Sequence, residues 1–271
     1  MPTSQPLVLG VVNVTPDSFS DGGRYLGADA AIAHARRLLA EGADMLDIGG
    51  ESTRPGAAPV SEADEIGRIL PVVQALRADS RIPISIDTMK PQVMRAAFAA
   101  GADVWNDVTA LGFAPDSAAT AAELGCEVML MHMRGEPGTM QQNPVYGDVV
   151  GEVTAFLSER AEAAMAAGVR REAIWVDPGI GFGKTLHHNL ALLAHLDRLK
   201  ALGFRTVLGV SRKRFLRAID PTAEDASDRL GGSLAGALAG AQAGIDAIRV
   251  HDVRETVQAL KTWAAIASAT C

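Results

Sequence analysis

Short apolar runs in this sequence repeatedly end in a residue that bonds hydrogen strongly or carries charge. One run ends at Asn13, the next reaches Asp47, and others end at Asp87, at Asn106 and Asp107, at His132 and at Asp177. Ser211, Arg212 and Lys213 follow another, and the last carries Arg249 and His251. Carboxylates, amides and cations of this kind bind and orient a polar ligand or steady developing charge. No Ser/His/Asp triad stands out, so a covalent nucleophile is not expected. Any one such residue reads equally as a helix N-cap or a solvated loop. For Thr88, Asp107 and Asp252 that plain reading is as good as a functional one. It does not explain why every run ends this way.

The runs themselves are expected to be strands: Leu7–Val12, Met45–Ile48, Ile84–Ile86, Val104–Trp105, Val128–Met131, Ile174–Val176, Thr206–Val210 and Ala247–Val250. Ala-rich stretches with helical spacing lie between them, among them Ala28–Glu41, Glu62–Leu76, Val149–Ala167 and Leu186–Leu202. Strand alternating with helix implies parallel pairing through right-handed crossovers. Glycine follows the helical stretches at Gly42, Gly101, Gly125, Gly168, Gly203 and Gly244, where a left-handed residue ends a helix. Polar strand ends follow five positions later at Asp47, Asn106 and Arg249. Eight such units fit an α/β fold of the (β/α)8 TIM-barrel class, a single domain over 1–271. A doubly wound open sheet is the rival, but no dinucleotide-type glycine fingerprint is present.

In a barrel the site lies at the C-terminal strand ends. Strand 8 then neighbours strand 1, which brings Arg249, His251 and Asn13 to one corner. A cation, an imidazole and an amide oxygen there suit a pyrophosphate and its Mg²⁺. Two loops flank the corner, from Asn13 to Gly27 and from Gly49 to Ser61. Both exceed the usual two to six residues or so of a βα loop and are expected to close over substrate. GIGFGKT, from Gly179, imitates a phosphate-binding P-loop, but that motif needs glycine where Pro178 stands. Lys184 is therefore expected at a helix start or on the surface.

Composition narrows the classes. With 271 residues, 48% apolar, the chain can bury a large core. A formal net charge of −7 argues against a nucleic-acid surface. Cys126 opens an apolar run and reads as a buried thiol, Cys271 is terminal, and neither has the spacing of a zinc site or a disulfide framework. MPTSQP lacks the basic stretch of a secretory leader, and no run of about 18 apolar residues offers a membrane span. A cytoplasmic, reducing location with no membrane partner is the expectation.

The segments NVTPDSFSDGG from Asn13, DIGGESTRPGA from Asp47, SIDT from Ser85, ND at Asn106, MHMRG from Met131, DPGIGFGK from Asp177, SRK from Ser211 and RVHDV from Arg249 occur in one order. In that order the chain resembles the dihydropteroate synthase family along nearly its whole length. The resemblance implies condensation of 6-hydroxymethyl-7,8-dihydropterin diphosphate with 4-aminobenzoate, giving 7,8-dihydropteroate and pyrophosphate. It implies that Asp87, Asn106, Asp177 and Lys213 hold the pterin, with Asp87 and Lys213 catalytic. Asn13 would bind Mg²⁺ and, with Arg249 and His251, the pyrophosphate. Phe19, Thr53, Arg54, Pro55, Phe182 and Lys213 would form the aminobenzoate pocket, with Asp21 a further contact. A homodimer is also implied.

Physical chemistry is consistent with these roles. A buried carboxylate such as Asp177 accepts two adjacent N–H donors of a pterin in a fork. Cations and a metal stabilise departing pyrophosphate. If the C–O bond breaks first, Asp87 offsets the charge on the methylene. The chain departs from the family pattern at Arg214, where serine is common, which leaves that side chain without an assigned role. Two alternatives stay open: a methyltetrahydrofolate-type pterin methyltransferase serving a corrinoid protein, and a silent pterin-binding paralogue. The first has no use for a pyrophosphate corner, and the second has no reason to keep Asn13, Thr53, Asp87, Lys213, Arg249 and His251.

Overall fold

A computed structural model describes residues 5–15, 24–52, 57–136 and 138–269. Eight parallel strands close in sequence order, and the last pairs with the first: β1 (Leu7–Asn13), β2 (Met45–Gly49), β3 (Ile84–Asp87), β4 (Val104–Asp107), β5 (Glu127–Met131), β6 (Ile174–Asp177), β7 (Arg205–Leu208) and β8 (Ala247–Val250). Closure excludes the open sheet. Most strands run one or two residues further into their polar ends than the apolar runs alone predict. β7 instead stops at Leu208, short of the expected Val210.

The helices are α1 (Arg24–Glu41), α2 (Glu62–Asp79), α3 (Pro91–Ala99), α4 (Ser117–Leu124), α5 (Val149–Ala166), α6 (Leu186–Ala194), α7 (Leu196–Lys200), α8 (Arg214–Ile219), α9 (Leu230–Gln242) and α10 (Val253–Ser268). Their starts follow local chemistry. Ser61 caps α2 by accepting from the Asp64 N–H at 3.1 Å, with Glu62, Asp64 and Glu65 in the first turn. Thr185 and His188 form a capping box at α6. The six expected helix-ending glycines all have positive φ, from 64° at Gly125 to 109° at Gly168. The stretch expected as one helix over Leu186–Leu202 is two, because His195 leaves helical geometry at φ −125° and ψ 39°. The first long loop also ends sooner than expected, since α1 already begins at Arg24.

Alternation along the strands builds two apolar compartments. Side chains such as Val8, Leu46, Ile48, Ile84, Ile86, Trp105, Val128 and Ile248 face outward and pack with the helices. Leu9, Met45, Val104, Met129, Trp175, Val207 and Ala247 face inward and fill the barrel. Burying each large apolar side chain is worth about 1.5–3 kcal/mol. The inward plug matters for function: two residues further along the same strands, on the same face, stand Asp47, Asn106, Asp177 and Arg249. The polar groups therefore stand one layer above a dry floor.

Candidate active site

The layer above that floor is a connected set of charges. Arg249 on β8 donates from Nε to Asp47 Oδ2 at 2.6 Å and from Nη2 to Asp87 Oδ2 at 2.9 Å. Asp47 is wholly buried and also receives Asn106 Nδ2, at 3.2 and 3.3 Å. Asp87 Oδ1 is buried with no hydrogen-bond partner among the described residues. Burial pushes the Asp87 carboxyl up to about 7; Asp47, Glu65 and Asp107 add to the rise, and Arg249 opposes it.

Asp177, at the end of β6, is held by the Gly179 N–H, which donates to Oδ1 at 2.7 Å. Burial raises its pKa, while Lys213, Arg249 and Lys184 oppose the rise. Lys213 donates to the Ile180 carbonyl, and its ammonium lies 4.9 Å from the centre of the Phe182 ring. Burial lowers the Lys213 ammonium to about 8. Lys213 thus lies over the ring in the loop after β6 while its charge acts on the Asp177 carboxylate.

The remaining expected residues fall on the same rim. Asn13 is the last residue of β1, half-buried and in register with Gly49. His251 lies one residue beyond β8 rather than on it; its backbone N–H donates to Ser211 Oγ at 3.2 Å, and Nδ1 is 3.0 Å from the same oxygen. The structure therefore brings together Asp87, Asn106, Asp177, Phe182, Lys213 and Arg249, with Asn13 and His251 at the β1–β8 corner. Phe19, Asp21, Thr53, Arg54 and Pro55 lie outside the described residues.

Asp107 and Thr88 are buried rather than solvated, and neither caps a helix; of the three only Asp252 stands at an N-cap position. Asp107 is buried and accepts from Thr109 N, Thr109 Oγ1 and Leu111 N, a turn-forming role. Thr88 accepts from Lys90 N and, through its carbonyl, from Trp105 Nε1. Asp252 occupies the N-cap of α10 but makes no cap bond; it receives both Nε and Nη2 of Arg212 instead. The Arg212–Arg214 run is thus no solvated face: Arg212 is tied down, Lys213 enters the site, and Arg214 is exposed at the start of α8.

Two lysines escape sequence reasoning, and Asp47, read there only as a polar strand end, is the buried partner of Arg249 and Asn106. Lys184 is buried at 3% exposure, not on the surface, for it donates to His132 and to loop carbonyls. Lys90 sits in a buried cluster, reaching Glu51 at 2.8 Å, Glu65 at 2.7 Å and the Val60 carbonyl at 2.7 Å. It ties together both flanks of the second long loop, and no local pattern announces a contact of that range.

Comparisons with known proteins agree with this geometry. Residues 9–251 match the family described as pterin binding enzyme. The dihydropteroate synthase of Escherichia coli K12 is 44% identical over 266 residues, covering 98% of this chain and 93% of that one. The chain belongs to the dihydropteroate synthase family of pterin-binding enzymes. Among solved structures, the dihydropteroate synthase of Xanthomonas albilineans with 4-aminobenzoic acid is 49% identical with a TM-score of 0.92, covering 98% of this chain and 94% of that one. The same organism's enzyme in complex with 7,8-dihydropteroate gives 46% and 0.89, covering 98% and 95%. Members of this family are transferases, and the described residues contain no helix long and apolar enough to cross a membrane.

Proposed function

We propose that this chain condenses 6-hydroxymethyl-7,8-dihydropterin diphosphate with 4-aminobenzoate, releasing pyrophosphate and 7,8-dihydropteroate. The observation that carries this reading is Lys213, set between the Asp177 carboxylate and the Phe182 ring, where one cation can serve two flat substrates at once. Asp177 accepts the pterin's adjacent N–H donors. Asn106 spends its Nδ2 on Asp47 and keeps its oxygen for a ligand donor. Asp87 Oδ1, buried and unbonded, is a further acceptor waiting for a partner.

Reaction begins with cleavage of the methylene C–O bond, the electron pair leaving with pyrophosphate. The pterin ring delocalises the resulting cation, and the ionised Asp87 offsets its charge. The aminobenzoate nitrogen then bonds to the methylene carbon and gives up one proton, which the released pyrophosphate or solvent accepts. Arg249 and His251 receive the pyrophosphate. Phe182 and Lys213, with Phe19, Thr53, Arg54 and Pro55 by family resemblance, hold the aminobenzoate.

The donor set suits Mg²⁺ arriving with its phosphates. Among the described residues no cluster of three His, Cys, Asp or Glu could cage a metal. Mg²⁺ commonly takes one or two protein oxygens and completes its shell with phosphate and water. Asn13, a hard amide oxygen at the end of β1, the strand that pairs with β8, fits that pattern. When bound, the ion neutralises charge on the leaving pyrophosphate. A homodimer of single-domain barrels in the cytoplasm completes the reading.

The test is purified protein with both substrates and Mg²⁺, scored for dihydropteroate and pyrophosphate. Equal amounts of the two products are expected. Methyl transfer from methyltetrahydrofolate, with neither product formed, would instead identify the corrinoid-linked alternative.

A further inference from the structure

Between β6 and α6, residues 179–183 turn through three glycines of left-handed φ: Gly179 at 64°, Gly181 at 85° and Gly183 at 62°. A side chain is excluded at both ends. A Cβ on Gly179 would lie 1.9 Å from the His132 carbonyl oxygen, and one on Gly183 would lie 2.3 Å from that of Arg134. A P-loop cradles phosphate with N–H groups. Here the carbonyls are all engaged by cationic or neutral donors. Gly179 and Phe182 oxygens accept from Lys184 Nζ, each at 3.0 Å. The Ile180 oxygen accepts from Lys213, that of Gly181 from Gln141 Nε2 at 2.5 Å, and that of Gly183 from the Tyr146 hydroxyl at 2.9 Å. Lys184 also reaches the His132 carbonyl at 3.3 Å and Nδ1 at 2.9 Å. Burial and Lys184 hold the His132 imidazole down to about 3, so the ring is neutral and Nδ1 accepts.

We propose that Lys184 is a positioning residue of the synthase reaction: it fixes the 179–183 segment, so that Asp177, Phe182 and Lys213 are set for both substrates. Burial lowers the Lys184 ammonium to about 7, so below that pH it adds a cation to those of Lys213 and Arg249 that oppose the rise at Asp177. The Gly179 whose carbonyl it holds donates its N–H to Asp177 Oδ1. Phe182, whose carbonyl it also holds, carries the ring beneath Lys213. The charged or titratable groups facing Lys184 are His132 and Arg134 beyond β5, Asp177 on β6, His188 on α6 and Lys213 before α8. Asp177 is the one acid of this set, so loss of the Lys184 charge falls on it. The inference rests on Asp177 as the pterin acceptor.

The sign is fixed. A cation near Asp177 opposes the rise that burial imposes, and removing it moves protonation to higher pH. The experiment is calorimetric titration with 6-hydroxymethyl-7,8-dihydropterin across pH ~4.5–8, with kinetics for both substrates, on Lys184→Met, Tyr146→Phe and Asp177→Ala. Lys184→Met is expected to bind pterin ~10-fold or more weakly, with the acid limb of binding displaced to higher pH and KM for 4-aminobenzoate raised. Tyr146→Phe frees the Gly183 carbonyl without removing charge, so its acid limb stays in place. Should Lys184→Met not fold, Lys184→Gln keeps a donor for the carbonyls and still removes the charge, with the same displacement expected. An unmoved limb in folded Lys184→Met or Lys184→Gln, beside abolished binding in Asp177→Ala, overturns the inference alone. An equal displacement in Tyr146→Phe also overturns it. Normal binding by Asp177→Ala overturns the pterin assignment and this inference with it.

Discussion

Arg249 and Asp47, 202 residues apart in sequence, meet with Nε and Oδ2 separated by 2.6 Å in the charged layer above the apolar floor. The same guanidinium also holds Asp87, so one half-buried cation faces two carboxylates, of which Asp47 is wholly buried. Breaking such a buried pair typically costs about 3–5 kcal/mol, because the remaining charge is stranded. Arg249 is therefore a structural tie across the barrel as well as the cation proposed for pyrophosphate.

A pH dependence follows from the surplus carboxylate. Asp87 is pushed up to about 7, so the folded protein holds a proton that the unfolded chain releases near its ordinary range, about 4. The folded state then binds more protons between these values, and stability from this group falls as pH rises through the window. In thermal melts of ligand-free protein, Asp87→Asn should gain in Tm relative to wild type from about pH 4 to 7 and hold level above. A constant difference across that range would show that Asp87 does not titrate there.

Asp177→Ala should cost pterin affinity far more than fold. Losing one partner of a fork of charge-assisted bonds is worth roughly 2–4 kcal/mol. Calorimetry with a pterin ligand measures it, and a folded variant of unchanged affinity would move the pterin elsewhere.

Lys213→Ala should lower kcat/KM for both substrates while leaving Tm nearly unchanged. The proper comparison is Arg214→Ala, which removes an exposed charge next door; Arg212 is unsuitable because it forks onto Asp252. Since burial holds the Lys213 ammonium down to about 8, activity should decline as pH rises through that value, and Lys213→Ala should lack this alkaline limb. Equal losses in Lys213→Ala and Arg214→Ala, both relieved by salt, would reduce the effect to general electrostatics.

Exhaustive chelation should abolish pyrophosphate release, and added Mg²⁺ should restore it. Continued full turnover without the ion would leave Arg249 and His251 as the whole of the leaving-group machinery. Pyrophosphate release, followed beside dihydropteroate formation, reads this directly.

The sequence by itself determined the barrel and most of its rim. Strand periodicity fixes which residues share a face, so Asn106, Asp177 and Arg249, each two positions beyond an apolar inward residue, were legible as site groups. Helix-ending glycines were legible because only a residue without Cβ adopts positive φ freely. Tertiary structure alone decided how the charges are shared. Contacts such as Arg249 with Asp47, Lys90 with Glu51 and Glu65, and Lys184 with His132 join strands and loops far apart in the chain. A lysine in a basic or glycine-rich stretch looks the same whether it is solvated or buried among carbonyls. The difference lies in desolvation and in the reach of its partners, which exist only once the barrel has closed.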